Sequence, residues 1–345
     1  MTTPQSVADE RNFRPKRLED FIGQEEVKQT LRLMLDSAHK RAAILEHVVF
    51  FGPPGLGKTT LAAIIAAEMN GRLFELSASS VKKAGDLASV LSKVARNDVV
   101  FLDEIHALPR DVAEILYSAM EDFVLNIVLG DDRPPVRLTL PPYTLVGATT
   151  DFGLLPEPMR ARFGQSFHLQ LYTLNELRQV ISRAADNLGF LYDDGALDGI
   201  ARRARGTPRV ALRLFRRCVD SAVNACQDWL DESLVEATMP ILGLDERGLD
   251  DADRKYLATL VHVYRGGPTG PRAIAASAAL DLSTVETVIE PALLQMGLIA
   301  RTPRGRRITR QGYAHVCTFL TAAPQINWAR VESADAAMPT PATSA

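Results

Sequence analysis

Cysteine is scarce in this chain, and its scarcity excludes two kinds of small fold. Cys218, Cys226 and Cys317 are the 3 present. They cannot all pair and have no metal-ligand spacing, so neither a disulfide scaffold nor a zinc module is encoded. Long apolar runs are missing as well, and none approaches the length of a membrane span. The opening MTTPQSVADE lacks the apolar core of a signal peptide. A reduced, cytoplasmic protein with no membrane attachment is expected. Surplus positive charge is also absent. The formal net charge of -3 excludes a globally basic nucleic-acid binder, so DNA contact would have to come from a local patch or a shaped channel.

What is present describes an ordinary soluble chain. At 345 residues, 46% hydrophobic and 23% charged, it has room for about two or three domains, each with its own core.

The stretch from His47 to Thr60 organises the sequence. His47 to Phe51 reads as a buried strand, and Gly52, Gly57, Lys58 and Thr59 meet the G-x-x-x-x-G-K-[ST] pattern. A helix is expected from Leu61 to Met69. Glycines let backbone N–H groups curl around phosphate oxygens, and a helix N-terminus adds partial positive charge. Lys58 would reach the outer phosphates, and the Thr59 hydroxyl can ligate Mg²⁺.

Upstream, apolar Val27, Leu31, Leu33 and Met34 suggest one buried face of a helix over 25–40. Downstream, 72–77 alternates like a strand and 82–95 reads as a helix. Val99-Val100-Phe101-Leu102 then ends in Asp103-Glu104, as a buried parallel strand does when it delivers acids to its carboxyl end. Asp103 would hold Mg²⁺ through water, and Glu104 would polarise the attacking water. A helix over 110–122 precedes two extended runs around Gly130-Asp131-Asp132-Arg133-Pro134-Pro135, a hairpin. Its apolar content means that it either packs on its own domain or docks a partner. The strand 143–150 places the Thr150 hydroxyl where it could help hold the hydrolytic water. A helix over 155–161 follows. Arg162, just beyond it, either pairs with a local acid or points into a neighbouring subunit's nucleotide. Ser166 to Leu171 completes the sheet.

From the capping box Thr173-Leu174-Asn175-Glu176 to about Leu242 the pattern is all helical. Thr207 suits a helix cap and Pro208 the first helical position. Arg209 stands in the first turn against the helix dipole, which points to a compensating anion such as a γ-phosphate. Helices are expected over 251–263, 271–280 and 283–296, the last opening with Ser283-x-x-Glu286 and kinked at Pro291. A hairpin with a basic tip follows over 298–310. Three helices and such a hairpin make a winged helix, which binds either DNA or protein; its arginines favour phosphate contact. The Ala-, Pro- and Thr-rich tail, 322–345, is expected to be disordered.

These stretches together resemble the RuvB family of AAA+ ATPases, the ATP-driven motors of Holliday-junction branch migration. The resemblance runs from Phe13 to about Phe319. It rests on Arg14-Pro15-Lys16, FFGPPGLGKTTLA at 50–62, FLDEIH at 101–106, ILYSAMEDF at 115–123 and LVGATT at 145–150. RFG at 162–164, DDGAL at 193–197, RRARGTPR at 202–209, GGP at 266–268 and RTPRGR at 301–306 extend it.

The resemblance implies an α/β fold: an AAA+ P-loop parallel-sheet domain, a helical lid and a C-terminal winged helix. The expected division is a mobile start 1–12, an ATPase domain 13–172 with an inserted hairpin about 123–140, and a lid 173–242. A winged-helix head 243–321 and the tail 322–345 follow.

The resemblance also implies roles. Phe13 and Arg14 would lie against the nucleotide, Gly55, Gly57, Lys58, Thr59 and Thr60 would hold its phosphates, and Tyr172 would lie near the adenine. Asp103 and Glu104 look like the metal-associated acid and the catalytic glutamate, Thr150 like sensor 1, and Arg209 like sensor 2. Arg162 looks like an arginine finger acting on the neighbouring subunit, with Glu121, Asp122 and Phe123 near that interface. Arg301 and Arg306 match wing residues that contact DNA. ATP and Mg²⁺ are the implied cofactors. A homohexamer on duplex DNA, with RuvA docked through the hairpin at about 124–140 and RuvC in a larger complex, is the implied assembly. The chain departs from the family in its short acidic hairpin turn, in Asp151 and at Leu282-Ser283. Two rivals stand beside this reading: a clamp-loader-like or initiator switch that binds DNA without sustained translocation, and an ATP-gated scaffold whose winged helix binds protein.

Overall fold

The computed structural model describes residues 14–127 and 136–332. Phe13, the start 1–12, the hairpin turn 128–135 and the last residues, 333–345, lie outside them. The chain divides into two compact units between Asp231 and Glu232.

The first unit runs α1 (Glu25–Lys40), β1 (Val48–Phe51), α2 (Lys58–Glu68), β2 (Leu73–Ser77), α3 (Ala84–Leu91) and β3 (Val99–Asp103). Then come α4 (Arg110–Glu121), the hairpin β4 (Val124–Ile127) and β5 (Val136–Thr139), β6 (Thr144–Thr149), α5 (Glu157–Arg160) and β7 (Gln165–His168). The remainder is α6 (Leu174–Leu188), β8 (Leu191–Tyr192), α7 (Asp194–Arg203), α8 (Pro208–Asn224) and β9 (Trp229–Leu230). Strand order is β2-β3-β6-β1-β7 and every pairing is parallel. The central strands β1, β3 and β6 are almost entirely buried, which is why they read as continuous apolar runs rather than as alternating ones. Because the strands are parallel, the loops after β1, β3 and β6 leave from one edge, on neighbouring strands.

Helix α2 starts at Lys58, three residues ahead of the reading from sequence, because the phosphate loop itself closes the first helical turn. The hairpin turns its base inward. Leu125 is wholly buried and its cross-strand partner Leu138 packs against the same core, so the described part belongs to its own domain. Asn126, Arg137 and Thr139 face outward. The capping box of α6 forms, with Thr173 Oγ1 accepting from Glu176 N and Glu176 accepting from Thr173 N at 2.7 Å. The segment after it is not wholly helical, since β8 and β9 pair in parallel through Leu191–Trp229 and Tyr192–Leu230. Thr207 precedes α8 but its side chain does not cap it; the hydroxyl turns back to the Arg205 carbonyl.

His47 ties β1 to its surroundings from within the core. Its Nδ1 accepts from Leu145 N at 2.9 Å and its Nε2 donates to Met120 O at 3.0 Å, an arrangement open only to the neutral ring. Burial holds its pKa below the ordinary 6.5, although the Met120 contact and Glu46 pull the other way. The unfolded chain therefore takes the proton first. This contribution to stability is complete above pH 6.5 and is lost as pH falls through the depressed folded value. Denaturant midpoints should drop between pH 7.5 and 5.5, and His47→Gln should shrink that drop. An unchanged drop in the variant would remove His47 as its source.

The second unit runs α9 (Glu232–Ile241), α10 (Asp251–His262), α11 (Pro271–Ala278), α12 (Leu282–Thr284) and α13 (Glu290–Gln295). It ends with the hairpin β10 (Ile299–Thr302) and β11 (Gly305–Ile308), α14 (Arg310–Phe319) and α15 (Trp328–Glu332). The winged-helix order is present, with Tyr256, Leu257, Ile274, Val285, Leu293, Ile299 and Ile308 in one core. The third helix differs from the sequence reading. Its cap is Asp281, which accepts from Thr284 N at 2.8 Å, and not a box opened by Ser283. A π-helical turn over 285–289, just ahead of Pro291, separates α12 from α13. Proline has no N–H for the regular i→i−4 ladder, and a wider turn ahead of it absorbs the mismatch. The tail reading is corrected over 322–332: Trp328 packs edge-on to Tyr313, and Arg310 pairs with Glu332 at 2.9 Å, so α15 folds back onto α14.

Candidate nucleotide site and basic wing

The phosphate loop leaves β1 and enters α2 through left-handed glycines. Gly57 has φ of 102°, and a Cβ there would stand 2.9 Å from the Phe21 ring. At Gly55, with φ of 80°, a Cβ would meet Thr207 at 2.8 Å and Arg209 Cβ at 3.0 Å. These two positions need glycine both for conformation and for space. The second also shows that the loop touches the start of α8, where Arg209 N donates to Gly55 O.

One pocket gathers the sequence-selected residues of this edge. Arg14, Gly55, Gly57, Lys58, Thr59 and Thr60 line it with Asp103, Glu104, Tyr172 and Arg209. Lys58 donates to the carbonyls of Gly52 at 2.6 Å and Pro53 at 2.9 Å. Burial lowers its pKa; Glu104 and Asp103 oppose that effect and Arg209 reinforces it. Tyr172 is buried with its hydroxyl toward Leu56 O, and burial pushes its phenol well above the ordinary value. Asp103 accepts from Glu104 N at 3.1 Å. The Thr59 hydroxyl and the Asp103 carboxylate are hard oxygen donors beside a phosphate loop. That set suits Mg²⁺, which takes few protein ligands and keeps waters and substrate phosphates.

Glu104 is held in an unusual way. Its φ is +50°, a left-handed conformation costing a side-chain-bearing residue on the order of 1 kcal/mol. Thr150 Oγ1 and N both donate to its Oε2, at 3.2 and 3.3 Å. A neighbouring imidazole was not foreseen. His106 Nδ1 lies 2.8 Å from Thr149 Oγ1 and 3.3 Å from the same Glu104 oxygen. Thr149 gives its one proton to Asp151 O, so it accepts from His106, which places a proton on Nδ1. The motif FLDEIH contains His106, but only folding brings β6 alongside to show what it does. Arg183 is a second omission. From α6 it reaches the pocket wall and bonds to Asp20 O, a contact across 163 residues with no local sequence signal.

Arg162 and the segment Glu121-Asp122-Phe123 do not line this pocket. They meet elsewhere, with Arg162 Nη2 donating to Glu121 Oε2 at 3.1 Å and Nη1 to Pro158 O at 2.6 Å. The guanidinium lies over Tyr117, 4.6 Å from the ring centre. Phe123 packs edge-on against His47 and Tyr143.

On the wing, Arg301 and Arg306 are cross-strand partners and share a face with Ile299 and Ile308. Arg301 is exposed. Arg306 is not an open cation. Its Nε and Nη2 both sit 2.8 Å from Glu290 Oε2, a carboxylate only 1% exposed whose other oxygen accepts from the Tyr256 hydroxyl. Two like charges directly opposite on a hairpin are unfavourable, and the buried acid offsets this for one of them. Only the remaining edge of Arg306 is left for a phosphate.

Comparison with known proteins accounts for nearly all of this chain. The Holliday junction DNA helicase RuvB P-loop domain matches residues 13–169, the RuvB AAA lid domain 172–245, and the RuvB C-terminal winged helix domain 246–317. A Holliday junction branch migration complex subunit RuvB from Thermotoga maritima is 47% identical over 306 residues, 88% of this chain and 92% of that one. The Kosmotoga olearia protein of the same name is 48% identical over 319 residues, 91% and 93% of the two chains. The solved Thermotoga maritima RuvB Holliday junction branch migration motor superposes with a TM-score of 0.79 at 46% identity, covering 89% of this chain and 98% of that one. A phosphate loop, paired acids and an arginine-bearing lid in one unit, a winged helix in the other, and matches to all three segments place this chain in the RuvB family of nucleotide-binding AAA+ ATPases.

Proposed function

We propose that the chain is an ATP hydrolase that drives branch migration of Holliday junctions in recombination and DNA repair. It works as a cytoplasmic hexameric ring on duplex DNA, recruited by RuvA through the hairpin near 124–140, with RuvC in the larger complex. The observation that carries the reading is the single pocket where Lys58, Thr59, Asp103, Glu104 and Arg209 converge. That set handles a nucleoside triphosphate from loop, metal side, water side and lid.

ATP would lie with its phosphates over the N-terminus of α2, where Gly55, Gly57 and Thr60 supply backbone N–H groups. Arg14 and the buried Tyr172 would flank the base end. Mg²⁺, when bound, neutralises charge on the phosphates, and Thr59 and Asp103 would hold it. Lys58 would exchange its loop carbonyls for phosphate oxygens. Glu104 orients the attacking water, and Thr150 links that carboxylate to the end of β6. Arg209, on the helix that touches Gly55, would register loss of the γ-phosphate and pass it to the lid. Arg162, with Glu121, Asp122 and Phe123, would serve the nucleotide of the next subunit. Arg301 and the open edge of Arg306 would contact backbone phosphates, which carry no sequence information and suit translocation.

The test is movement of a synthetic four-way junction by the purified protein with RuvA added. ATP-dependent conversion to branch-migrated products is expected, and its absence under conditions of measurable ATP turnover would refute the motor. In the same preparation, Arg301→Ala should weaken duplex binding uniformly across sequences and reduce the slope of log affinity against log salt by about 1. An unchanged slope would take Arg301 out of the DNA interface.

A further inference from the structure

Arg162 is an arginine with little freedom. The carbonyl of Pro158 takes one hydrogen of Nη1, and Glu121 takes one of Nη2. The third restraint is the Tyr117 ring, whose centre lies 4.6 Å from the guanidinium carbon. Tyr117 and Glu121 are one helical turn apart on α4, so a single face presents an aromatic plate and then a carboxylate. A planar cation laid over the plate is directed at the acid. The Nε hydrogen is buried and meets no acceptor among the described residues. Hydrogen bonding alone therefore does not fix the inner end of the group; the ring beneath it does.

The hydrogen count matters for function. The clamp uses one hydrogen on each terminal nitrogen and leaves one on each. A guanidinium held this way can meet a phosphate oxygen without releasing Glu121 or Pro158. We propose that Tyr117 is a positioning residue for Arg162, holding the guanidinium plane in the orientation from which it meets the γ-phosphate of a neighbouring subunit. This rests on the reading of Arg162 as a finger acting across the interface. Tyr117 reaches the reaction only through Arg162, and its aromatic face rather than its hydroxyl is what counts.

The experiment compares Tyr117→Leu, Tyr117→Phe and Arg162→Ala in the full chain, measuring steady-state ATP turnover on duplex DNA. A misplacement of a catalytic group by about 1 Å costs up to about 10²-fold in rate. Tyr117→Leu should therefore lose about 10- to 100-fold in kcat with little change in KM for ATP, and Tyr117→Phe should stay close to the parent. Mixing Tyr117→Leu subunits with Lys58→Ala subunits should recover turnover, because the second kind donates an intact finger to the first kind's nucleotide. A purely structural defect would not be repaired by mixing. A normal rate in Tyr117→Leu, an equal loss in Tyr117→Phe, or no recovery in mixed rings would each overturn the proposal. If Arg162→Ala loses turnover while Tyr117→Leu does not, the positioning role alone fails. A normal rate in Arg162→Ala removes the finger reading itself.

Discussion

Arg162→Ala is expected to lower ATP turnover by about 10³- to 10⁵-fold, the usual worth of an arginine finger in phosphoryl transfer. The size follows from the role proposed for the group. Phosphoryl transfer leaves little covalent chemistry to the protein, so rate comes from positioning and from charge placed where the transition state spreads its own. Arg162 is absent from the lining of the pocket that holds Lys58, Asp103 and Glu104. In one chain it pairs with Glu121 instead. The loss should therefore be one of trans action. Arg162→Ala subunits keep a sound pocket and lack the finger; Lys58→Ala subunits lack the pocket function and keep the finger. Mixed, they should regain part of the activity that neither has alone. If mixed rings stay silent while each variant still assembles, action across the interface is wrong.

Glu104→Gln should reduce hydrolysis by about 10²- to 10⁴-fold while leaving ATP binding in place. Two donors, Thr150 Oγ1 and Thr150 N, already bond to Oε2. A glutamine oxygen accepts from the same donors, so the left-handed turn at residue 104 and the end of β6 should persist. What disappears is the negative charge that, on the proposed reading, polarises water. On the proposed reading affinity rests on Lys58, Thr59 and Arg209, which the change does not touch. Nucleotide affinity by fluorescence and turnover by phosphate release would separate the two. Retained turnover would assign the water to another group, and lost affinity would mean that Glu104 shapes the pocket itself.

The strand–loop–helix around Lys58, the strand ending in Asp103 and Glu104, and the capping box at Thr173 were all legible in the sequence. Each is written in residues close along the chain, and its physics is local: apolar runs for buried strands, glycines for a left-handed loop, a hydroxyl and a carboxylate three residues apart for a helix start. Arg209 was legible as a charge against its helix dipole. The pairing of Arg306 with Glu290 was not legible, because the acid is brought opposite it only when β11 packs against α13. The tail was misread at Trp328 because composition averages over an aromatic that docks on Tyr313.

The sequence by itself determined that this chain binds a phosphate-rich nucleotide and carries a winged helix. Periodicity and motif spacing need no partner from elsewhere in the chain. Only the tertiary structure decided how the groups of the candidate site are held. Thr149 meets His106 and Thr150 meets Glu104 because β3 and β6 are neighbours in the sheet, Arg183 meets Asp20 across the first unit, and Tyr117 lies under Arg162 because α4 and α5 pack together. Such contacts depend on which elements become adjacent. Burial and pairing geometry settle that, and no single stretch of residues encodes it.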